Sequence, residues 1–177
     1  MAKKAAAKKG KKSASKEVTS IKELIELDAR LAELNAQLIE KQIGKKPSKY
    51  NLYSLVLKYG RRFTPAPKPK EVSWGKKGNC YENAAIIMDD DGKRLIYCEG
   101  WATLREEPGL LIAHAWCVDS AGKVIDNTWR EPGAEYYGIP FTPKFYHRVA
   151  VERNYTSLMT GNGALLNGIP KGAIAKI

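Results

Sequence analysis

A cysteine that follows a glycine turn and opens a helix-like run constrains this chain more than any other feature: G-N-C-Y-E-N-A-A at residues 78–85. Asn79, Tyr81, Glu82 and Asn83 are poor company for a core thiol, so the segment reads as a helix start that presents its sulfur. Amide groups at a helix N-terminus stabilise negative charge, which suits a thiolate. Gly78 allows a sharp entry turn and a close approach of backbone to a carbonyl group. The Cys80 amide is then placed to donate to an oxyanion. Ala84 and Ala85 let the helix sit close against its neighbour.

Two later segments supply what a thiol needs. In L-I-A-H-A-W-C-V, strand alternation puts Ile112, His114 and Trp116 on one face and Ala113, Ala115 and Cys117 on the other. His114 is the group to take up and return the thiol's proton. The S-A-G-K turn then marks a hairpin into K-V-I-D-N-T-W, which sets Asp126 on the neighbouring strand. A carboxylate there holds one ring N–H and aims the other nitrogen at sulfur. On a regular strand Asn127 cannot share that face, so Asp126 is the choice. Cys80, His114 and Asp126 are therefore the expected nucleophile, base and orienting acid of a Cys-His-Asp triad. His147, in K-F-Y-H-R-V, is expected to be structural or exposed.

Other residues are placed around this trio. Trp74, six positions before Cys80, could donate its indole N–H to an oxyanion or be structural. The aromatic run E-Y-Y-G-I-P-F, with Tyr137 at its centre, would either wall a substrate cleft or pack its tyrosines on the core. Glu82 and Glu99 are read as surface carboxylates. Cys98 and Cys117 lie in apolar strand-like runs and read as core thiols. Three cysteines without a C-x-x-C pair argue against a disulfide framework and for a reducing compartment, hence the cytoplasm. The spacing of cysteines and histidines matches no common zinc pattern, and no metal or other cofactor is expected.

Charge divides the chain. Residues 1–16 hold seven lysines and no acid, and read as a disordered basic tail suited to nucleic acid or an acidic partner. Residues 17–44 read as an amphipathic helix: Ser20 and Glu23 have capping-box spacing. Leu24, Leu27, Leu31, Leu34 and Leu38 recur at intervals of 3, 4, 3 and 4, a coiled-coil-like seam. That seam could pack on its own domain or form a short helical oligomer. Residues 45–71 read as a basic linker with a short helix near Tyr50–Tyr59, ending in the extended T-P-A-P-K-P-K-E. A domain boundary is expected there, with the cysteine domain at 72–155. Its strands are expected at R-L-I-Y-C-E-G-W-A-T-L, at the His114 and Asp126 segments and at K-F-Y-H-R-V-A-V-E-R-N. Residues 156–177, with four glycines, are expected to be loosely ordered. The charged start leads into no apolar stretch, and no run is long enough to span a membrane.

G-N-C-Y-E-N-A, E-G-W-A, H-A-W and D-N-T-W together resemble the core of transglutaminase-like cysteine proteins, over about residues 74–129. The resemblance implies a papain-like α+β fold, with the cysteine-bearing helix packed on an antiparallel sheet and here preceded by a helical extension. It implies Cys80 as nucleophile, His114 as base and Asp126 as orienting acid, acting on a protein or peptide amide. Its members include hydrolases, proteases, deamidases, cross-linking transferases and inactive relatives. Departures are present. The connection after Cys80 is short, calcium sites have no counterpart, and the interval just upstream of the cysteine has no glutamine to serve as an oxyanion donor. A catalytically silent fold with a basic tail, of phage or mobile-element type, is the alternative expectation.

Overall fold

The computed structural model describes residues 19–90, 94–153, 157–160 and 162–177. The lysine-rich tail expected at 1–16 lies outside these residues. The fold is α+β, built on a five-stranded antiparallel sheet of order β1-β5-β2-β3-β4. Its strands are β1 (Arg61–Phe63), β2 (Ile96–Thr103), β3 (Ile112–Val118), β4 (Val124–Ile125) and β5 (Glu135–Phe141). Helices are α1 (Ile21–Ile43), α2 (Leu52–Tyr59), α3 (Cys80–Asp90), α4 (Pro143–Arg153) and α5 (Asn162–Asn167).

The capping box at α1 forms: the Glu23 amide donates to Ser20 Oγ, and the Ser20 amide to Glu23 Oε2. Gly44, at φ 69°, ends the helix in the left-handed conformation that glycine tolerates. Ile21 and Ile25 anchor α1 in the same cluster as Leu55 and Val56 of α2 and Cys80 of α3. The boundary expected near residue 72 is therefore crossed by the core. The stretch read as linker also supplies a strand, for Arg61, Arg62 and Phe63 pair with Gly138, Tyr137 and Tyr136 of β5.

Two apolar clusters lie on opposite faces of the sheet. The larger holds α3, Tyr97, Trp101, Ala115, Cys117, Ile139 and Phe141; the smaller holds Phe63, Cys98, Ala102, Trp116, Val118, Val124 and Tyr136. Strand parity assigns the faces, with Trp116 against Cys98 and Cys117 against Tyr97 in register. Small residues seat α3 on the sheet: Ala84 and Ala85 are buried, and Cys117 Sγ donates to the Ala84 carbonyl at 3.1 Å.

Three expectations are corrected. K-F-Y-H-R-V-A-V-E-R is α4, a helix rather than a strand. Pro143 opens it, Thr142 Oγ1 accepts from the Phe145 amide at 3.4 Å, and Phe145, Tyr146 and Ala150 bury one helical face. The aromatic run Glu135–Phe141 is β5, an inner strand between β1 and β2. The C-terminal stretch is integral: Leu158, Met159, Ile169 and Ala173 are buried, and the Thr142 amide donates to Ala173 O while that of Ala175 donates to Pro140 O. Its apolar residues, spaced among glycines, hide the periodicity from which order would be read.

Candidate active site

Cys80 is the first residue of α3, as the glycine turn suggests. Gly78 has φ 84°, left-handed backbone that makes the turn into the helix. Asn79 caps it through its carbonyl, which accepts from the Asn83 amide at 2.9 Å, and its side chain donates to Glu82 Oε2 at 3.0 Å. Gly75 packs against Asn83 so closely that a Cβ there would lie 2.2 Å from the Asn83 side chain.

His114 sits on β3 opposite Gly100 of β2, on the face of Trp116. Cys80 belongs to the cluster on the other face. β4 pairs with Cys117 and Val118 of β3, beyond His114 along the strand. Cys80 is nonetheless close enough to the ring to favour its charged form together with Asp126. Asp126 lies just beyond the end of β4, not on the strand as expected. Its Oδ2 meets His114 Nε2 at 2.7 Å. With Nε2 engaged, Nδ1 is the nitrogen left for sulfur. Cys80, His114 and Asp126 are only 8, 2 and 5 % exposed.

Leaving the strand is what lets Asp126 be so well held. Oδ1 accepts from the backbone amides of Thr128 at 2.8 Å and Trp129 at 3.4 Å, a turn that closes on the carboxylate. Oδ2 also accepts from the Tyr136 hydroxyl at 3.0 Å, and that hydroxyl accepts from the Gly133 amide at 2.9 Å. Burial pushes the Asp126 carboxyl up, but His114 and these donors outweigh it and hold the group below its usual range. Burial likewise pulls the His114 ring down, and the Asp126 and Cys80 partners overcome it, raising the ring to about 9. The imidazolium is thus the favoured form at neutral pH.

Several residues that sequence reading passed over complete the site. Trp129 stacks on His114, with ring centroids 4.0 Å apart and planes 12° from parallel. Asn83, one helical turn after Cys80, accepts from the Lys76 amide at 3.0 Å. It donates to Lys76 O at 2.7 Å and to Thr128 Oγ1 at 2.9 Å. Asn127, set aside as off the catalytic face, is part of the same brace: its carbonyl accepts from the Gly75 amide at 2.9 Å. An asparagine inside a helix is a poor helix former, and this was the available signal for a tertiary partner. Tyr136 could be told from Tyr137 only by knowing the parity of β5.

The remaining candidates lie as follows. Tyr137 is half-buried on the face of Ile139, in the α3 layer, opposite Trp101. Trp74 is part-exposed, its ring flanked by Lys68 Nζ at 4.6 Å and Arg130 Cζ at 4.5 Å. With Val72, Ile86, Ile87 and Leu95 it lines a cavity of about 310 Å³. Glu99 corrects its reading as a surface group, being fully buried. It accepts from Tyr97 Oη at 2.8 Å, Ser157 Oγ at 2.7 Å and the Leu158 amide at 2.7 Å, and burial pushes its carboxyl up. His147 is exposed on α4, 3.5 Å from Asp89 Oδ1. Comparison with protein-family models, characterised proteins and solved structures gives no match.

Proposed function

We propose that the protein is a cysteine-dependent amide or acyl hydrolase of transglutaminase-like type, acting through a thioester on Cys80. The observation that carries this reading is the buried His114–Asp126 contact at 2.7 Å, with Cys80 at the start of α3 close enough to favour the charged ring. The starting state is the pair in which Nδ1 of His114 holds the Cys80 proton, and the thiolate sulfur adds to the acyl carbon. Collapse of the tetrahedral adduct leaves a thioester, and the imidazolium gives its proton to the departing amine. Water then adds to the thioester with His114 as base, releasing the acid and restoring the pair. Asp126 stays ionised throughout and stabilises the imidazolium. Hydrolysis needs only water as the second substrate, which places it ahead of cross-linking transfer. A protein or peptide amide is the substrate class that the sequence resemblance favours.

A second reading has its own support. The three side chains are almost wholly buried, as befits a catalytically silent fold that serves as a basic-tailed accessory protein for nucleic acid or an acidic partner. Labelling with iodoacetamide under native conditions separates the two. A reactive Cys80 is alkylated first, ahead of Cys98 and Cys117, which are fully buried in the sheet. Labelling is expected to vanish in Cys80→Ala and to slow sharply in His114→Ala. Equal labelling of all three proteins supports the silent fold.

A further inference from the structure

Helix α1 has two apolar faces. Ile21 and Ile25 are fully buried against the domain, and Ala29, Ala32 and Ala36 continue that line half-buried. About half a turn away, Leu27, Leu31, Leu34 and Leu38 are 55, 51, 56 and 56 % exposed, with half-buried Leu24 heading the row. This face does not attach the helix. The isoleucines do, helped by Asn51 Nδ2 donating to the Ala29 carbonyl at 3.4 Å. An open row of leucines is an apolar patch that calls for a cover, and its heptad spacing fits another helix.

We infer that the row is the seam of an antiparallel pairing between α1 and α1 of a second copy of this chain. Charge selects this arrangement. With Leu31 set opposite Leu34 of the second copy, Leu27 falls opposite Leu38, and all four layers are leucine on leucine. The flanks then match Arg30 with Gln37 and Asp28 with Asn35, so no like charges meet. The other antiparallel register, Leu24 opposite Leu34, sets Arg30 against Arg30 and Asp28 against Asp28. A parallel pair sets Glu23 beside Asp28 on both sides. It also gathers both lysine-rich starts, seven lysines each in residues 1–16, at one end. In the favoured register the two-fold axis crosses α1 at residues 32–33, the middle of its 23 residues, so the helices overlap along their whole length. Two heptads are short for a free coiled coil, but α1 is already folded and anchored, so pairing carries no helix-nucleation cost.

Sedimentation equilibrium of the full chain, from about 1 to about 100 µM, tests this by mass action. The mass is expected to rise with concentration from 19.7 kDa towards twice that value. In Leu31→Lys/Leu34→Lys it is expected to stay at the single-chain value, with far-UV circular dichroism unchanged because Ile21 and Ile25 still hold α1. For orientation, Arg30→Cys chains mixed with Gln37→Cys chains are expected to form mixed disulfides under mild oxidation in preference to like pairs. A single-chain mass at every concentration overturns the proposal and leaves the row to a different protein. So does a dimer that the double lysine variant leaves intact, or a cross-linking pattern with no preference for the mixed pair.

Discussion

Asn83 and Thr128 are 45 positions apart in the chain, yet Asn83 Nδ2 donates to Thr128 Oγ1 at 2.9 Å. One asparagine thereby ties the turn that delivers the nucleophile to the turn that delivers the acid. Its other two bonds hold both the N–H and the C=O of Lys76, in the loop that leads to Cys80. Asn83→Ala leaves buried groups unpaired, and urea denaturation should register a loss of about 1–3 kcal/mol. Asn83→Asp keeps acceptors for the Lys76 N–H and the Thr128 hydroxyl but loses the donor to the Lys76 carbonyl, and is expected to restore stability only in part. Alkylation of Cys80 should slow in both, because the two turns are less firmly fixed to one another.

The His114–Asp126 pair gives stability a defined pH dependence. The folded His114 value is raised, so its contribution is complete below the ordinary 6.5 and is lost as pH rises through about 9. The folded Asp126 value is lowered, so its contribution is present above the ordinary 3.8 and is lost as pH falls into the acid range. Thermal melts of the wild type should therefore weaken between about pH 7 and 10 by an amount on the order of a few kcal/mol. In Asp126→Asn the alkaline limb should shrink. An alkaline limb of equal size in that variant contradicts a charged pair.

Neighbouring tyrosines should behave differently. Tyr136 joins Gly133 to Asp126 through its hydroxyl, whereas Tyr137 faces the opposite layer. Tyr136→Phe strands a buried amide and removes a donor from the carboxylate, with an expected cost of about 1–3 kcal/mol. Tyr137→Phe should stay within about 0.5 kcal/mol of wild type. Parallel chemical denaturation of the two variants makes the comparison.

Trp129 shields the ion pair by lying flat on the imidazole. Trp129→Ala admits water to the His114–Asp126 contact, which weakens the attraction between charges. The ring should then titrate closer to the ordinary histidine value. NMR of the imidazole nitrogens reads this directly, since His147 is the sole other histidine.

Local chemistry made much of the site legible. The glycine turn and polar neighbours marked Cys80 as a helix start, and alternation placed His114 with Trp116. The Asp119–Lys123 hairpin, with Gly122 at φ 74°, set Asp126 near them. What stayed hidden depends on distant partners. That Glu99 is buried follows from Ser157 and Leu158 arriving from the C-terminal stretch, 58 and 59 residues away. α4 escaped because Val149, Val151 and its aromatic residues favour strands one by one, while Pro143 and Thr142 fix the helix start from outside that run. β1 escaped because three residues beside a proline-rich stretch carry no period of their own; β5 supplies the pairing.

Acylation by p-nitrophenyl acetate, read by intact mass and peptide mapping, tests the catalytic line most directly. One acetyl group should accumulate on Cys80 of the wild type with a burst of p-nitrophenol, then clear by hydrolysis. Asp126→Ala should acylate at least tenfold more slowly through loss of its imidazolium partner, and Cys80→Ala not at all. Acetyl groups scattered over lysines, with Cys80 unmodified in the wild type, would contradict a thiol activated by His114.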